Sequence, residues 1–375
     1  MNTTKNFEYD IEFFDREKEK EEIMNVLRTK PQLLNFVYGP INSGKTSLIT
    51  NLIENLPENY VVIYINLRER AIPSYDDFLE VIFDVKYEGI LTKIMRFLGR
   101  QKDTVDEVIS DLGKMHKIPI PKGIFTRIFK EEKPKNAFIY ILDLIKNIKK
   151  KGKNPVFIID ELQKIGDVKT NGYLIYDVFN FFIRLTKELH ICHVFALSSD
   201  SLFIERVYNE ALLKYRCRYL LVDDFDEKTA GKFLEKYGFT EEEIKLANDY
   251  TGGKPSLLTT MIDEKKIGRG LNDYVEKGLA DSKEEIAQLL YYIKTIGVTI
   301  KYQEKDIADN YEGTTKILKN FSGNDFYKYS VITPELCYLV SKNILFVDTR
   351  EKIIKPQSKF DLLAIREILK EIETK

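Results

Sequence analysis

Five short segments of the chain are almost continuously apolar, and segments with helical spacing of apolar residues separate them. The five segments are QLLNFVY (32–38), YVVIYINLRE (60–69), PVFIID (155–160), HICHVFALSS (190–199) and CRYLLVDDF (217–225). Strands that are apolar on both faces and alternate with helices are typical of a parallel sheet covered by helices on both sides. The pattern therefore predicts an α/β core over residues 1–222, built on a five-stranded parallel sheet.

Short helices follow the predicted core. Thr240 is a good first residue for one of them, and Gly252 and Gly253 follow its end. This pattern predicts a small helical lid domain over residues 223–283, which includes a charged linker, DEKKIGRG (263–270).

The last part of the chain, residues 284–375, has a different pattern. Thr333 and Pro334 suit the N-cap and first position of a helix. The apolar strands ILFV and KIIKP then flank the turn DTRE, which indicates a β-hairpin. Helices followed by such a hairpin predict a C-terminal winged-helix domain.

Composition and charge narrow the functions that these elements serve. The 375 residues are 43% hydrophobic and 31% charged, with 58 Lys and Arg against 59 Asp and Glu. A chain with this balance is not, as a whole, an electrostatic binder of nucleic acid or membranes. One helical insertion, residues 86–153, is basic, with 17 Lys and Arg against 8 Asp and Glu. A solvated helical face and contact with a polyanion or an acidic partner both explain that charge.

Cysteines and histidines give no metal signal. Cys192, Cys217 and Cys337 are scattered, which favours a reducing compartment and no structural metal site. HICH (190–193) groups metal-ligand types, but its position at a buried strand favours a structural role. The polar, acidic N-terminus is unlike a signal peptide and no apolar run spans a bilayer, so we expect a cytoplasmic protein without membrane contact.

The strongest chemical motif follows the first strand. Residues Gly39 to Thr46, GPINSGKT, match the pattern G-x-x-x-x-G-K-[ST] between a strand and a helix. Such a loop turns backbone N–H groups and a helix N-terminus towards phosphates. In this pattern Lys45 is expected to contact the β- and γ-phosphates, and Thr46 is expected to bind Mg²⁺. The residues predicted to hold the nucleotide phosphates are Gly39, Pro40, Ile41, Asn42, Ser43, Gly44, Lys45, Thr46 and Ser47.

Two carboxylates follow the third apolar segment, in FIIDELQ. Asp160 is a candidate Mg²⁺ ligand together with Thr46, either directly or through the shell around the ion. Glu161 is a candidate general base that polarises the attacking water, which favours nucleotide hydrolysis over kinase chemistry. Solvation of a strand end is the alternative explanation for the pair.

Further candidates lie at later strands. Ser199, or Ser198 beside it, is a candidate γ-phosphate sensor at the end of the fourth segment, although a helix N-cap role fits nearly as well. Arg216, or Arg218, is a candidate for neutralising transition-state charge, in cis or across a subunit boundary, with an edge ion pair as the alternative. Pro255, after two glycines, is a candidate lid contact to the nucleotide.

Taken together, these residues resemble the archaeal ATPase family, which is AAA+-like and belongs to the STAND class of P-loop ATPases. The resemblance extends over nearly the whole chain. It rests on FFDREKE, the phosphate loop, INLRE, FIIDE and GGKP. The family's Gly-Arg before the fifth strand is replaced here by Tyr215 and Arg216, and SSD stands in place of its usual Gly-Ser.

The resemblance implies a P-loop NTPase fold with a lid and a C-terminal winged helix, and ATP or ADP with Mg²⁺ as cofactors. It also implies that Phe14 and Arg16, from the family's F-x-x-R-x-x-E box, line the adenine side of the pocket. Pro255, from its G-x-P signature, is implied to contact the nucleotide from the lid.

These expectations lead to one favoured function and two alternatives. The favoured function is a slow or regulated ATPase whose Mg²⁺-dependent hydrolysis drives a conformational switch of the signal-transduction type. The first alternative is a DNA-associated ATPase that uses the basic insertion or the winged helix. Residues 281–375 carry 15 Lys and Arg against 15 Asp and Glu, so a protein partner suits that domain better than nucleic acid. A kinase is the second alternative, but no Arg-rich lid is apparent in the sequence.

Overall fold

The structure is a computed structural model, and it describes most of the chain. The described residues are 11–86, 114–121, 125–126, 128, 130, 134–170, 172–204, 213–302, 305–308 and 310–374. The strands are β1 (Leu34–Tyr38), β2 (Tyr60–Asn66), β3 (Phe83–Lys86), β4 (Lys114–Met115), β5 (Ile118–Pro121), β6 (Asn154–Asp160), β7 (His193–Ser198), β8 (Cys217–Leu221), β9 (Thr299–Tyr302), β10 (Lys305–Ala308), β11 (Tyr327–Lys328), β12 (Leu345–Asp348) and β13 (Ile353–Pro356).

Helices separate most of these strands, and several begin at side-chain caps. The helices are α1 (Glu17–Leu27), α2 (Lys45–Asn55), α3 (Tyr75–Ile82), α4 (Pro134–Lys150), α5 (Leu174–Ile183), α6 (Glu227–Lys236), α7 (Glu241–Tyr250), α8 (Pro255–Lys266), α9 (Leu271–Thr295), α10 (Tyr311–Lys319), α11 (Pro334–Ser341) and α12 (Lys359–Glu373). At α7, Thr240 and Glu243 form a reciprocal capping box, which confirms the predicted helix start.

The central sheet is parallel, in the order β4-β2-β6-β7-β1-β8. Its last five strands are the five predicted from the sequence, so the predicted α/β fold is confirmed. The sixth strand, Lys114–Met115, is an addition at the edge beside Val62 and Ile63. A strand of two residues is too short to form an apolar run. For this reason the sequence pattern predicted five strands and not six.

Alternate residues of β1 pack on opposite faces of the sheet, as expected for a strand buried on both sides. Phe36 belongs to the apolar layer that also contains residues of α3, α4 and α5. Val37 belongs to the other layer, which contains residues of α1 and α2. β1 is buried along its whole length, so the loop that follows it starts from a rigid position.

The segment between β2 and β6 is described only in part. Residues 87–113 and most of KGIFTRIFK (122–130) lie outside the described residues, so whether their basic charge is a solvated face or a contact with a polyanion or an acidic partner stays open. The Lys-rich run 146–155 is the end of α4 and the start of β6. Lys149 Nζ donates to Asn154 Oδ1 at 3.0 Å, a local contact at the surface.

The histidines of HICH have the structural role that the sequence favours. His190 Nδ1 lies 2.7 Å from the carbonyl oxygen of Pro31, and His193 Nε2 lies 3.1 Å from that of Thr29. Among the described residues, His, Cys, Asp and Glu form no group of three that holds a metal ion. Likewise, the described helices include none that is long and apolar enough to cross a membrane.

The lid segment, residues 223–283, is helical as predicted, but its linker is shorter than expected. Helix α8 continues to Lys266, so the prediction of a linker over 263–270 is wrong for its first half. The reason is that Glu264, Lys265 and Lys266 are good helix formers that extend the amphipathic helix by one turn. Helix α9 then runs without a break into residue 295.

Residues 284–374, called the C-terminal unit below, contain the predicted hairpin, and helix α12 follows it. β12 and β13 pair antiparallel, and β11 adds a third strand. Thr333 caps α11 by accepting from the Leu336 N–H at 3.3 Å, and Pro334 is its first residue. The winged-helix assignment, and the division at residues 222 and 283, stay predictions.

Candidate functional site

The loop between β1 and α2 has the backbone shape of a phosphate cradle. Gly44 has a φ of 89° and is the N-cap of α2, without a side-chain cap. The first N–H groups of α2 therefore lack intrahelical acceptors and face a site suited to an anion. A cavity of about 290 Å³ opens there, lined by Asn42, Gly44, Lys45, Thr46, Ser47, Arg68, Glu161, Ser199, Pro255, Ser256 and Thr259.

The loop is packed tightly against the end of β8. Ser43 Oγ donates to the carbonyl oxygen of Val222 at 2.7 Å. A Cβ atom at Gly39 would lie 2.0 Å from the same oxygen. Only glycine fits at position 39 without moving backbone.

We expect Gly39→Ala to destabilise the fold by roughly 1–3 kcal/mol, the usual cost of overpacking a buried site. Urea unfolding measures this change in the free energy of unfolding. Gly323→Ala is the matched control, because a Cβ at Gly323 meets nothing within 4 Å. Equal stability of the two variants would contradict the packing described here.

Lys45 lies inside the loop that it closes. Its Nζ donates to the carbonyl oxygens of Gly39 and Pro40, at 3.1 Å and 2.7 Å. Burial lowers the pKa of Lys45 to about 8, and the charge of Glu161 opposes that shift. At neutral pH the side chain is therefore mainly a cation, held at the base of the cavity.

Asp160 collects three donors at the carboxyl end of β6. Thr46 Oγ1 and the Tyr64 hydroxyl donate to Asp160 Oδ2 at 2.8 Å and 2.9 Å. The N–H of Glu161 donates to Asp160 Oδ1 at 2.9 Å. Burial and the Asp160 charge raise the pKa of Tyr64, so its hydroxyl stays a donor. The structure thus brings together the two predicted metal ligands, Thr46 and Asp160.

Glu161 is buried, yet its carboxylate lines the same cavity as Lys45. Its φ of 60° is unusual for a residue other than glycine, and such strain is concentrated at functional sites. Arg68 Nη2 lies 2.9 Å from Glu161 Oε1, and Gln163 Nε2 donates to Oε2 at 2.7 Å. Both carboxylate oxygens therefore have a partner in this structure.

Gln163 connects Glu161 to the two serines at the end of β7. Ser198 Oγ donates to Gln163 Oε1 at 2.7 Å, and Gln163 Nε2 donates to Ser199 Oγ at 3.4 Å. Asp200 makes the cap-like contact here, because its Oδ1 accepts from the Phe203 N–H at 2.9 Å. Ser199 lines the phosphate cavity, and its role as a sensor stays a prediction.

Arg216 lies at the wrong edge of the sheet for a catalytic role within its own subunit. Its carbonyl oxygen accepts from the N–H of Leu34, which begins β1, whereas the phosphate loop follows the end of β1. β8 runs parallel to β1, so five strand residues at ~3.3 Å each place Arg216 about 16 Å from the loop. The prediction of a role in cis is therefore wrong, and Arg218 is at the same edge. Action across a subunit boundary stays a prediction.

A larger cavity, of about 440 Å³, adjoins the phosphate loop on the side of the chain's N-terminal segment. Phe14, Arg16 and Pro255 all line it. Phe14 packs against Phe225 and Phe233, with ring centroids 6.3 Å and 5.2 Å apart. This aromatic wall suits the flat face of a nucleotide base.

Arg16 is buried and supports the phosphate loop through a hydrogen bond to its backbone. Its Nη2 donates to the carbonyl oxygen of Ser43 at 2.7 Å, and its Nη1 donates to Glu19 at 2.8 Å. Its guanidinium carbon is 4.5 Å from the centre of the Phe225 ring. These contacts hold Arg16 between the phosphate loop and the aromatic wall of the larger cavity.

Two contacts fix the backbone of Ile41, in the middle of the loop, from outside the core. Gln357 Oε1, in the C-terminal unit, accepts from the Ile41 N–H at 3.1 Å. Lys254 Nζ, in the lid segment, donates to the Ile41 carbonyl oxygen at 2.9 Å. The loop is therefore in direct contact with both of the other parts of the chain.

The C-terminal unit also contacts the sheet beside the loop and the first residue of the lid segment. The Tyr38 hydroxyl donates to Asp348 Oδ1 at 2.8 Å, and Lys355 Nζ lies 2.6 Å from Asp223 Oδ1. The pKa of Tyr38 is raised by burial and by the Asp348 charge, so the hydroxyl keeps its proton.

Sequence reasoning missed several residues of this site. Arg68 and Gln163 lie in INLRE and FIIDELQ, two segments that the sequence analysis had singled out, so their position beside a strand end was an available signal. Gln357 had no such signal, because 316 residues separate it from Ile41.

Comparisons with known proteins agree with this geometry. Residues 13–261 match the family of ATPase domains predominantly from Archaea, and residues 272–369 match the C-terminal domain of uncharacterized ATP-binding proteins like MJ1010. An uncharacterized ATP-binding protein of Methanocaldococcus jannaschii is 48% identical over 374 residues, covering 97% of this chain and 99% of that protein. Another, of Pyrococcus abyssi, is 44% identical over 359 residues, covering 96% of this chain and 99% of that protein.

Among solved structures, a Walker-type ATPase of Pyrococcus abyssi has the same fold. It superposes with a TM-score of 0.59 at 16% sequence identity. The superposition covers 94% of this chain and 96% of that chain, so the likeness includes the parts outside the central sheet.

Proposed function

Because this chain belongs to the family of ATPase domains found predominantly in Archaea and is an ATP-binding protein, we propose that it hydrolyses ATP to ADP and phosphate. We propose further that the bound nucleotide controls how the C-terminal unit holds the phosphate loop. The position of Glu161, a buried carboxylate in the wall of the phosphate cavity with Lys45, is the observation that carries the hydrolysis proposal.

The two adjoining cavities support one arrangement of the bound ATP. The base enters the larger cavity, against Phe14 and below Pro255, and the phosphates lie along the loop to the start of α2. Pro255 lines both cavities, so the lid segment contacts the nucleotide between base and phosphates. Lys45 exchanges its loop carbonyls for phosphate oxygens, which are better acceptors because they are charged.

The oxygen donors at this site fit Mg²⁺. Thr46 and Asp160 offer a hydroxyl and a carboxylate side by side, the hard oxygen ligands that this ion takes in nucleotide sites. We propose that these two residues hold the ion. When bound, Mg²⁺ neutralises charge on the β- and γ-phosphates.

Glu161 acts as the general base. It accepts a proton from the water whose oxygen attacks the γ-phosphorus, while the bond from that phosphorus to the ADP oxygen breaks. In this structure Arg68 neutralises Glu161. The Arg68 side chain is 53% exposed, so it has room to move away from Glu161. A γ-phosphate in the same cavity competes for that guanidinium, which frees the carboxylate for the water.

Ile41 is the link between the nucleotide and the rest of the chain. Its N–H is held by Gln357 and its carbonyl by Lys254, so any shift of the loop on binding ATP changes both contacts. The proposed switch is this exchange of contacts. We also propose a winged-helix fold for the C-terminal unit, supported by α11 and the hairpin that follows it.

We expect Gln357→Ala to uncouple the C-terminal unit from the nucleotide. In the wild type, hydrogen exchange in the hairpin, residues 345–356, should differ between the ADP-bound and ATP-bound chain. In the variant that difference should be lost, because the Ile41 N–H no longer has its side-chain acceptor. Gln288→Ala is the control, since the partner of Gln288 among the described residues is Tyr292, on the exposed side of α9. A nucleotide-dependent difference of the same size in all three proteins would reject the link.

A further inference from the structure

Tyr64, in the middle of β2, donates a hydrogen bond to the carboxylate of Asp160 on the neighbouring strand. β2 and β6 pair in parallel, with Tyr64 opposite Ile158, two residues before Asp160. The side chains of Tyr64 and Asp160 therefore lie on the same face of the sheet. Two strand residues at ~3.3 Å each span about 7 Å, which a tyrosine side chain is long enough to cover. The Tyr64 hydroxyl lies 2.9 Å from Asp160 Oδ2.

The surroundings of Tyr64 hold its ring in place. Tyr64 is only 8% exposed, and it belongs to the apolar layer that contains residues of α1 and α2. The ring of His116, which follows β4, packs perpendicular to the Tyr64 ring with the ring centroids 5.8 Å apart. Aromatic rings favour this edge-to-face arrangement. Because burial and the Asp160 charge raise the pKa of Tyr64, the hydroxyl is a neutral donor held at a fixed position.

The three donors to Asp160 differ in what else they contact. Thr46 lies in the first turn of α2 and lines the phosphate cavity, so it is also placed to contact a bound ligand. The N–H of Glu161 belongs to the proposed general base, whose φ is 60°. Tyr64 lines neither of the two cavities of the nucleotide site, and it lies in a strand that is buried along most of its length. Its hydroxyl therefore supports Asp160 without contacting the nucleotide.

We propose that Tyr64 is a positioning residue, which holds Asp160 in the orientation in which Asp160 and Thr46 together bind Mg²⁺. This inference rests on the proposed function, in which these two residues hold the ion. Without the hydroxyl, Asp160 Oδ2 loses a donor that fixes the plane of the carboxylate, and the carboxylate gains freedom to rotate. Loss of such an outer partner of a metal ligand typically weakens metal binding by about 10–100-fold.

Tyr64→Phe tests the proposal, because it removes the hydroxyl and keeps the buried ring. Tyr60→Phe is the matched control. Tyr60 begins the same strand and packs on the same apolar layer, and its hydroxyl donates to the Leu27 carbonyl oxygen at 3.2 Å. Four residues at ~3.3 Å each place it about 13 Å from Tyr64 along β2. Each variant loses one hydrogen-bonded hydroxyl, but only Tyr64→Phe loses it at Asp160.

The first measurement is the Kd of Mn²⁺, which substitutes for Mg²⁺ and is visible by EPR. The full chain carries one equivalent of ADP, at a protein concentration well above the Kd of ADP, so that little free ADP competes for the metal. We expect Tyr64→Phe to raise the Kd of Mn²⁺ about tenfold or more and Tyr60→Phe to leave it unchanged. The second measurement is the affinity for ADP in EDTA, by calorimetry. It should be equal in the wild type and both variants, because the hydroxyl acts only through the metal site.

The possible failures are distinguishable. If the wild type binds Mn²⁺ and Tyr64→Phe binds it equally well, Tyr64 has no positioning role and the metal site stands. Weaker binding of ADP to Tyr64→Phe in EDTA, with no further loss of Mn²⁺ affinity, would also overturn the proposal, because the hydroxyl would then serve packing alone. A wild-type complex that binds no Mn²⁺ would reject the metal site and the role of Tyr64 together. Absence of ATP turnover in a wild type that binds Mn²⁺ would reject the hydrolysis proposal alone.

Discussion

Replacing Lys45 with alanine is expected to abolish the stabilisation of the fold by ATP. A nucleotide at one hundred times its Kd stabilises a folded chain by ~2.7 kcal/mol, and a thermal shift assay measures this as a rise in Tm. Lys45 is the cation placed inside the phosphate loop, held there by the carbonyls of Gly39 and Pro40. Without it, the cradle loses its main countercharge for the β- and γ-phosphates.

Two further variants of this chain serve as controls for this result. Lys45→Met keeps most of the buried stem and removes only the charge, so it separates loss of binding from loss of packing. Lys153→Ala removes a surface lysine at the far end of β6, where its Nζ donates to the Glu58 carbonyl oxygen. We expect a full ATP-induced shift in Lys153→Ala and none in either Lys45 variant. An undiminished shift in Lys45→Met would reject the assignment of the cradle.

Replacing Glu161 with glutamine is expected to preserve ATP binding and to remove turnover. Glutamine has nearly the same shape and still accepts from Gln163, but it does not take a proton from water. Loss of a general base reduces the rate by about 10²–10⁴-fold. Steady-state phosphate release measures turnover, and the thermal shift with ATP measures binding in the same sample.

Glu69→Gln is the matched control for this variant. Glu69 is a more exposed carboxylate three residues after β2 that pairs with Lys117 at 2.9 Å, away from the phosphate cavity. The Glu69→Gln variant should keep wild-type turnover. If Glu161→Gln released phosphate at the wild-type rate, Glu161 would have no part in the chemistry.

Sequence pattern was sufficient for the core because the core depends on local signals. β1, β2, β6, β7 and β8 are runs of apolar residues long enough to be recognised without a partner strand. The phosphate loop is contiguous, so its motif and its geometry coincide. The hairpin at β12 and β13 was equally visible, because a polar turn separates two short apolar strands.

Sequence pattern failed where position in the sheet decides the role. Arg216 precedes β8, which runs parallel to β1. The start of β8 therefore lies at the edge of the sheet opposite to the phosphate loop, which follows the end of β1. The position of Arg216 in the sequence does not show this. Arg68 was overlooked although it lies at the favourable edge. It follows the end of β2 and lines the phosphate cavity. The contact between Gln357 and Ile41 joins residues that no local pattern relates.

This chain is expected to hydrolyse the ATP that it binds. The most direct measurement is single-turnover: excess wild-type chain is incubated with ATP and Mg²⁺, and the recovered nucleotide is separated by chromatography over time. We predict conversion of the ATP to ADP and phosphate, even if slow, with conversion at least about a hundredfold slower in Glu161→Gln and none in the presence of a chelator. Recovery of intact ATP from the wild-type chain after prolonged incubation, with binding demonstrated in the same sample, would contradict the account.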